Sequence, residues 1–174
     1  QTKIISRYYE RIEKLDIKVH FQPMIEVGGD IFDIFELKDQ YYRIFIADAI
    51  GHGVQAALTT MLIKGEYDKC KIFNLTPDKI MQLFNNAFIE SYYNLTAFFT
   101  AIIVDISIKE NKLLYSFAGH PKQFLIKNGE LSLFGNVGKI VGFNDKVEYD
   151  LKETEFNPGD KLLLFTDGIF EVFS

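Results

Sequence analysis

Two runs of aromatic and β-branched residues, Ile31-Phe32-Asp33-Ile34-Phe35-Glu36-Leu37 and Tyr41-Tyr42-Arg43-Ile44-Phe45-Ile46, flank a polar break, Lys38-Asp39-Gln40. This is the pattern of a β-hairpin closed by a short loop, and no other stretch constrains the chain as tightly. With the turn centred on Asp39, Leu37 faces Tyr41, Ile34 faces Ile44, Phe32 faces Ile46 and Asp30 faces Asp48. Two carboxylates then stand directly across the ladder, with Cβ atoms about 5 Å apart. Like charges so placed are destabilising unless a cation lies between them or one takes a proton. A divalent, oxygen-preferring cation is the partner that suits the pair best. Plain turn or cap aspartates are the alternative, and a register shift of one residue would put the two on opposite faces. Gly28-Gly29 before one aspartate and Gly51 and Gly53 after the other favour the cation, because glycine permits unusual backbone angles and close approach to a ligand.

The remaining chain has to enclose this hairpin. Its 174 residues fit one domain, long enough to bury roughly two-thirds of the unfolded surface. A net charge of −5 without any basic stripe argues against a nucleic-acid binder. One cysteine, Cys70, excludes an internal disulfide and clustered-cysteine zinc sites, and it reads as packing. No apolar run is long enough to span a bilayer, and the start of the chain lacks a signal-peptide core. Direct membrane contact is not expected.

In chain order, residues 1–15 read as the end of a linker helix and 16–174 as the domain. Ile17 to Gln22 alternates like a half-buried strand that places His20 outward. Gly51 to Lys69 predicts a helix whose buried stripe is Val54, Ala57, Leu58, Met61 and Leu62. Thr76 caps a second helix with Pro77 at its first position, burying Ile80, Leu83, Phe84, Ala87 and Phe88. Strands are expected over Phe98–Ile108, Asn111–Ala118, Gln123–Lys127, Leu131–Phe134, Val147–Phe156 and Lys161–Thr166. Two helices and roughly nine strands make an α+β domain of layered sheets with helices outside. Asp33, diagonal to Arg43 across the hairpin, is expected to form a structural ion pair with it.

A third aspartate, Asp167, ends the last strand as Asp167-Gly168. Alone it would be an ordinary turn. Three buried strands each ending in an aspartate beside a small residue form a carboxylate-rich, sulfur-free set, which suits magnesium or manganese and not zinc or copper.

Four strings carry a family resemblance: Glu26-Val27-Gly28-Gly29-Asp30, Ala47-Asp48-Ala49-Ile50-Gly51-His52-Gly53, Ala118-Gly119-His120-Pro121, and Pro158-Gly159-Asp160-Lys161-Leu162-Leu163-Leu164-Phe165-Thr166-Asp167-Gly168. Together they resemble the metal-dependent serine/threonine protein phosphatases of type 2C, in the bacterial branch typified by SpoIIE and RsbU. The resemblance implies a four-layer α-β-β-α sandwich and a centre of two divalent cations, manganese or magnesium. By the same resemblance Asp48 bridges the two cations, Asp30 serves the first, Ala49 supplies its backbone carbonyl, and Asp167 serves the second. Asp30 and Asp48 would act catalytically through a cation-held water, while Gly29, His52 and His120 would support the loop or contact substrate. The implied substrate is phosphoserine or phosphothreonine on a partner protein such as an anti-sigma-factor antagonist. A sensor or linker before the domain, a homodimer and a cytoplasmic setting are further implications, the last including the cytoplasmic part of a membrane-anchored parent. The branch carries one more helix and a strand with a further aspartate after Thr166-Asp167-Gly168; this chain stops at Ser174, so it reads as C-terminally truncated. A phosphoprotein-binding pseudophosphatase and a two-metal hydrolase of small phosphoesters are the alternatives.

Overall fold

A computed structural model describes residue 12 and residues 14–22, 28–51, 53–95 and 97–169. His52, nearly all of the expected linker helix, and residues 170–174 lie outside the described residues. The elements are β1 (Asp30–Lys38), β2 (Tyr41–Ala49), α1 (Gly53–Cys70), α2 (Pro77–Tyr92), β3 (Phe99–Ser107), β4 (Lys112–Ala118), β5 (Gln123–Lys127), β6 (Glu130–Phe134), β7 (Lys152–Glu155) and β8 (Lys161–Leu163). They form two antiparallel sheets, one in the order β1-β2-β3-β4-β7 and one in the order β6-β5-β8.

Strand alternation divides the apolar residues between two cores. Phe45 and Ala47 of β2, with Phe99, Ala101 and Ile103 of β3, meet Ile63, Tyr67, Phe84 and Phe88 from the helices. There the Phe45 and Tyr67 rings stack at 3.9 Å. The intervening positions Tyr42, Ile102, Val104 and Ile106 meet Leu125 and Phe134 of the smaller sheet. The result is a helix layer on one sheet and a second sheet on its other face, an α+β sandwich of the type the resemblance implied. A second helix layer has no counterpart among the described residues. Leu133, Phe124 and Leu163 share the outer face of the smaller sheet, and both leucines are exposed. Among the described residues no helix is long and apolar enough to cross a membrane.

Several local expectations change. In α1 the buried face is Ala56, Thr60, Ile63, Tyr67 and Cys70, whereas Val54 (72% exposed), Leu58 (63%) and Met61 point outward. The helix is apolar on two sides, and close docking selects the side with small Ala56 and with Thr60, whose hydroxyl lies 2.8 Å from the Gly29 carbonyl. At the hairpin tip, Lys38 faces Tyr41 instead of Leu37, because a bulge falls between Glu36 and Lys38. Residues 17–22 keep their alternating exposure without forming a strand. Only Lys152–Glu155 of the expected 147–156 strand pairs, because Val147 and Tyr149 turn into the helix-side core. Leu83 is exposed.

The expected Asp33–Arg43 pair does not form. Asp33 takes Lys71 at 2.6 Å. Arg43 faces Asp105 across β2–β3 and donates to it from Nε at 2.7 Å and from Nη2 at 2.6 Å, with both side chains fully buried. Its remaining hydrogens go to the carbonyls of Lys71, Phe73 and Leu75, at 3.1, 3.2 and 2.6 Å. One guanidinium thus pins the α1–α2 connection to the sheet. Removing its partner leaves a buried, uncompensated cation, so Asp105→Ala should lose about 3–5 kcal/mol in urea unfolding. A loss under about 1 kcal/mol, as for an exposed pair, would contradict this account.

Candidate active site

The site begins with the register. Asp30, the first residue of β1, faces Asp48 of β2, and Asp48 in turn faces Thr100 of β3. The two carboxylates sit where the hydrophobic pattern of the hairpin fixes them. The chain before β1 is held against β2, since the Ala49 N–H donates to the Gly29 carbonyl at 3.1 Å. A Cβ on Gly29 would stand 3.0 Å from the Ala49 carbonyl oxygen and 3.4 Å from Asp48 Oδ1. Glycine here keeps clear the space beside both oxygens.

Asp167 arrives from the other sheet. β8 ends at Leu163, and a single 3₁₀ turn, Asp167–Ile169, follows. The Thr166 hydroxyl donates to Asp30 Oδ2 at 2.9 Å. Asp48 thus faces Asp30 across the ladder, and the negative charge of Asp167 also acts on it. Burial, then the charges of Asp30 and Asp167, push the Asp48 carboxyl up to about 8. Burial also raises Asp30, against the pull of the Thr166 hydroxyl and of Asp48. At neutral pH the bare cluster therefore keeps a proton on a carboxyl that would ordinarily be ionised.

The chemistry of this donor set fits a hard divalent cation. It offers carboxylate oxygens, a backbone carbonyl beside a glycine, and surplus negative charge around Asp48. Among the described residues no three His, Cys, Asp or Glu side chains already close around one point.

His120 stands one layer back. The Phe165 carbonyl can only accept, so His120 Nε2–H donates to it at 3.0 Å, and Nδ1 accepts from the Thr100 hydroxyl at 2.7 Å. Burial lowers its pKa, which agrees with a neutral ring. With both nitrogens engaged, the ring braces the end of its strand. The structure places Asp30 opposite Asp48, with Gly29 beside Asp48 and the Ala49 carbonyl; Asp167 follows Thr166, whose hydroxyl reaches Asp30, and His120 holds the preceding residue, Phe165. Sequence reasoning missed Thr166, Thr100 and Gln123. Thr166 had a signal, since it immediately precedes Asp167; Thr100 had one only through its register with Asp48.

Comparison with known proteins finds several relatives of the whole chain. The chain is 24% identical over 163 residues to phosphoserine phosphatase RsbP of Bacillus subtilis (strain 168), covering 91% of this chain and 40% of that protein. It is 26% identical over 173 residues to phosphoserine phosphatase RsbU of the same organism, covering 98% and 51%. The chain thus spans about half the length of the curated relatives it matches. Among solved structures, the SiaA-PP2C domain of Pseudomonas aeruginosa superposes with a TM-score of 0.74 at 25% identity, over 84% of this chain and 58% of that one. The family model of stage II sporulation protein E (SpoIIE) matches residues 38–174. The chain belongs to the SpoIIE family, as a SpoIIE/RsbU-like member of the metal-dependent protein phosphatases.

Proposed function

We propose that this domain is a metal-dependent serine/threonine protein phosphatase that removes phosphate from phosphoserine or phosphothreonine on a partner protein. One observation supports the reading: Asp30 and Asp48 stand opposite each other at a strand end, where burial and the charges of Asp30 and Asp167 raise the Asp48 carboxyl, an excess of negative charge that a divalent cation would offset. Two relatives named as phosphoserine phosphatases support the choice of substrate chemistry.

In this reading divalent cations, manganese or magnesium, would be held by the carboxylates of Asp30, Asp48 and Asp167 and by the Ala49 carbonyl. Bound there, they supply a water of lowered pKa and neutralise charge on the phosphate oxygens. The chain contributes placement. Asp48 carries the central charge, Gly29 leaves room beside it, and Thr166 orients Asp30. No serine or cysteine nucleophile is needed. The partner would be an anti-sigma-factor antagonist or a similar signalling protein in the cytoplasm. A preceding sensor or linker, and pairing of two copies, would regulate the domain within a longer parent.

Hydrolysis of a phosphopeptide and of an aryl phosphate, with manganese and with chelator, tests this function. The phosphopeptide should turn over only with metal, and Asp48→Asn should cost about a hundredfold or more in kcat. Turnover that survives chelator, or a metal-loaded protein that only binds the phosphopeptide, would overturn it.

The proton on Asp48 predicts a pH dependence in the chelated protein. Its pKa is raised on folding from 3.8 to about 8. Its contribution to stability is therefore complete below about pH 4 and is lost as pH rises towards 8. Relative to Asp48→Asn, the wild type should lose thermal stability between pH 5 and about 8, and saturating magnesium should remove the difference. Parallel wild-type and variant curves without metal would contradict this.

A further inference from the structure

The segment that delivers Asp167 is not held by a sheet. β8 pairs with β5 only through Leu163↔Phe124, Leu162↔Leu125 and Lys161↔Ile126, and β5 begins at Gln123. Continuing that register would set Phe165 against Lys122, outside the strand and next to Pro121, which has no N–H. Side chains complete the pairing instead. The Phe165 N–H donates to Gln123 Oε1 at 2.5 Å, and the Phe165 carbonyl accepts from His120 Nε2 at 3.0 Å. Each clamp residue is itself fixed. Gln123 is fully buried and donates from Nε2 to the Pro121 carbonyl at 2.7 Å. His120 is 4% exposed and accepts from Thr100. Gly119 takes φ +66° to turn the chain into His120, where any Cβ would collide with Ile140.

These contacts close a circuit around the carboxylates. Asp30 faces Asp48, Asp48 faces Thr100, Thr100 donates to His120, His120 donates to Phe165, and the next residue, Thr166, donates back to Asp30. We propose that His120 and Gln123 are positioning residues: by clamping both backbone polar groups of Phe165, they set where Thr166 and Asp167 meet the Asp30–Asp48 pair. Cation affinity then depends on two buried side chains that do not touch the cation. This inference rests on the metal-centre reading above.

Two measurements on the whole chain test it. The first needs no metal. Amide hydrogen exchange at Phe165, read by NMR in chelated protein, should speed up by about tenfold or more in Gln123→Ala while helix α2 stays protected. Unchanged protection at Phe165 would overturn the clamp whatever the site binds. The second is manganese binding by calorimetry. His120→Ala should weaken binding by about tenfold or more, and should add nothing once Asp167→Asn is present, because both act through the same segment. Unchanged affinity in His120→Ala, or losses that add, would overturn the positioning role. Should His120→Ala fail to fold, Thr100→Val withdraws only the hydroxyl that fixes the ring and should shift affinity in the same direction. Wild-type protein that binds no manganese while Phe165 responds as described would sink the metal reading and the affinity claim, but leave the clamp standing.

Discussion

The structure depends on two cross-strand pairings of strand β2, settled in opposite ways. Arg43 faces Asp105 across β2–β3, and the guanidinium meets the carboxylate bidentately with no exposure to water. Asp48, on the same β2 strand, faces Asp30 across β1–β2 and also feels the charge of a second carboxylate, Asp167. The first pairing is electrostatically complete and fastens the α1–α2 connection. The second carries surplus negative charge that folding alone cannot neutralise. The hydrophobic pattern of β1 and β2 enforces the Asp30–Asp48 pairing, because a slip of one residue would turn the whole apolar set to the wrong face.

That surplus explains the architecture around it. Helix α1 docks with Ala56 and Thr60 against Gly28 and Gly29, which keeps the entry to β1 close to the Ala49 carbonyl. The smaller sheet stacks on the other face through Leu125 and Phe134, and brings the end of β8 over the open edge where Asp30 begins its strand. Two sheets and one helix layer therefore each contribute to a single small volume. Rigid elements supply the Asp30–Asp48 pair, and a short clamped segment supplies Asp167.

Much of this was legible in the chain. Asp30 opposite Asp48 follows from counting outward from the Asp39 turn, and the observed ladder keeps that pairing although a bulge shifts the tip. Strand Gln123–Lys127 and the helix from Pro77 also follow from local pattern and capping. Failures occur where tertiary contact decides between locally equal choices. Helix α1 has apolar residues on two faces, and only its docking on Gly29 and Phe45 selects between them. Arg43 had Asp33 diagonal to it on one strand and Asp105 directly opposite on the other, a choice invisible without knowing that β3 lies beside β2. The last strand stops early because side chains from Gln123 and His120, and not a strand, take the backbone of Phe165.

The site reading turns on the Asp48 carboxyl, raised by burial and by the charges of Asp30 and Asp167. Carbon-13 NMR titration of the aspartate side-chain carboxyls, with Asp48 assigned by its loss in Asp48→Asn, measures this directly. The account predicts an Asp48 carboxyl that titrates near 8 in chelated protein and is ionised throughout the neutral range once magnesium is added. An Asp48 that titrates near the ordinary aspartate value of about 3.9, and does so equally with and without magnesium, would contradict it.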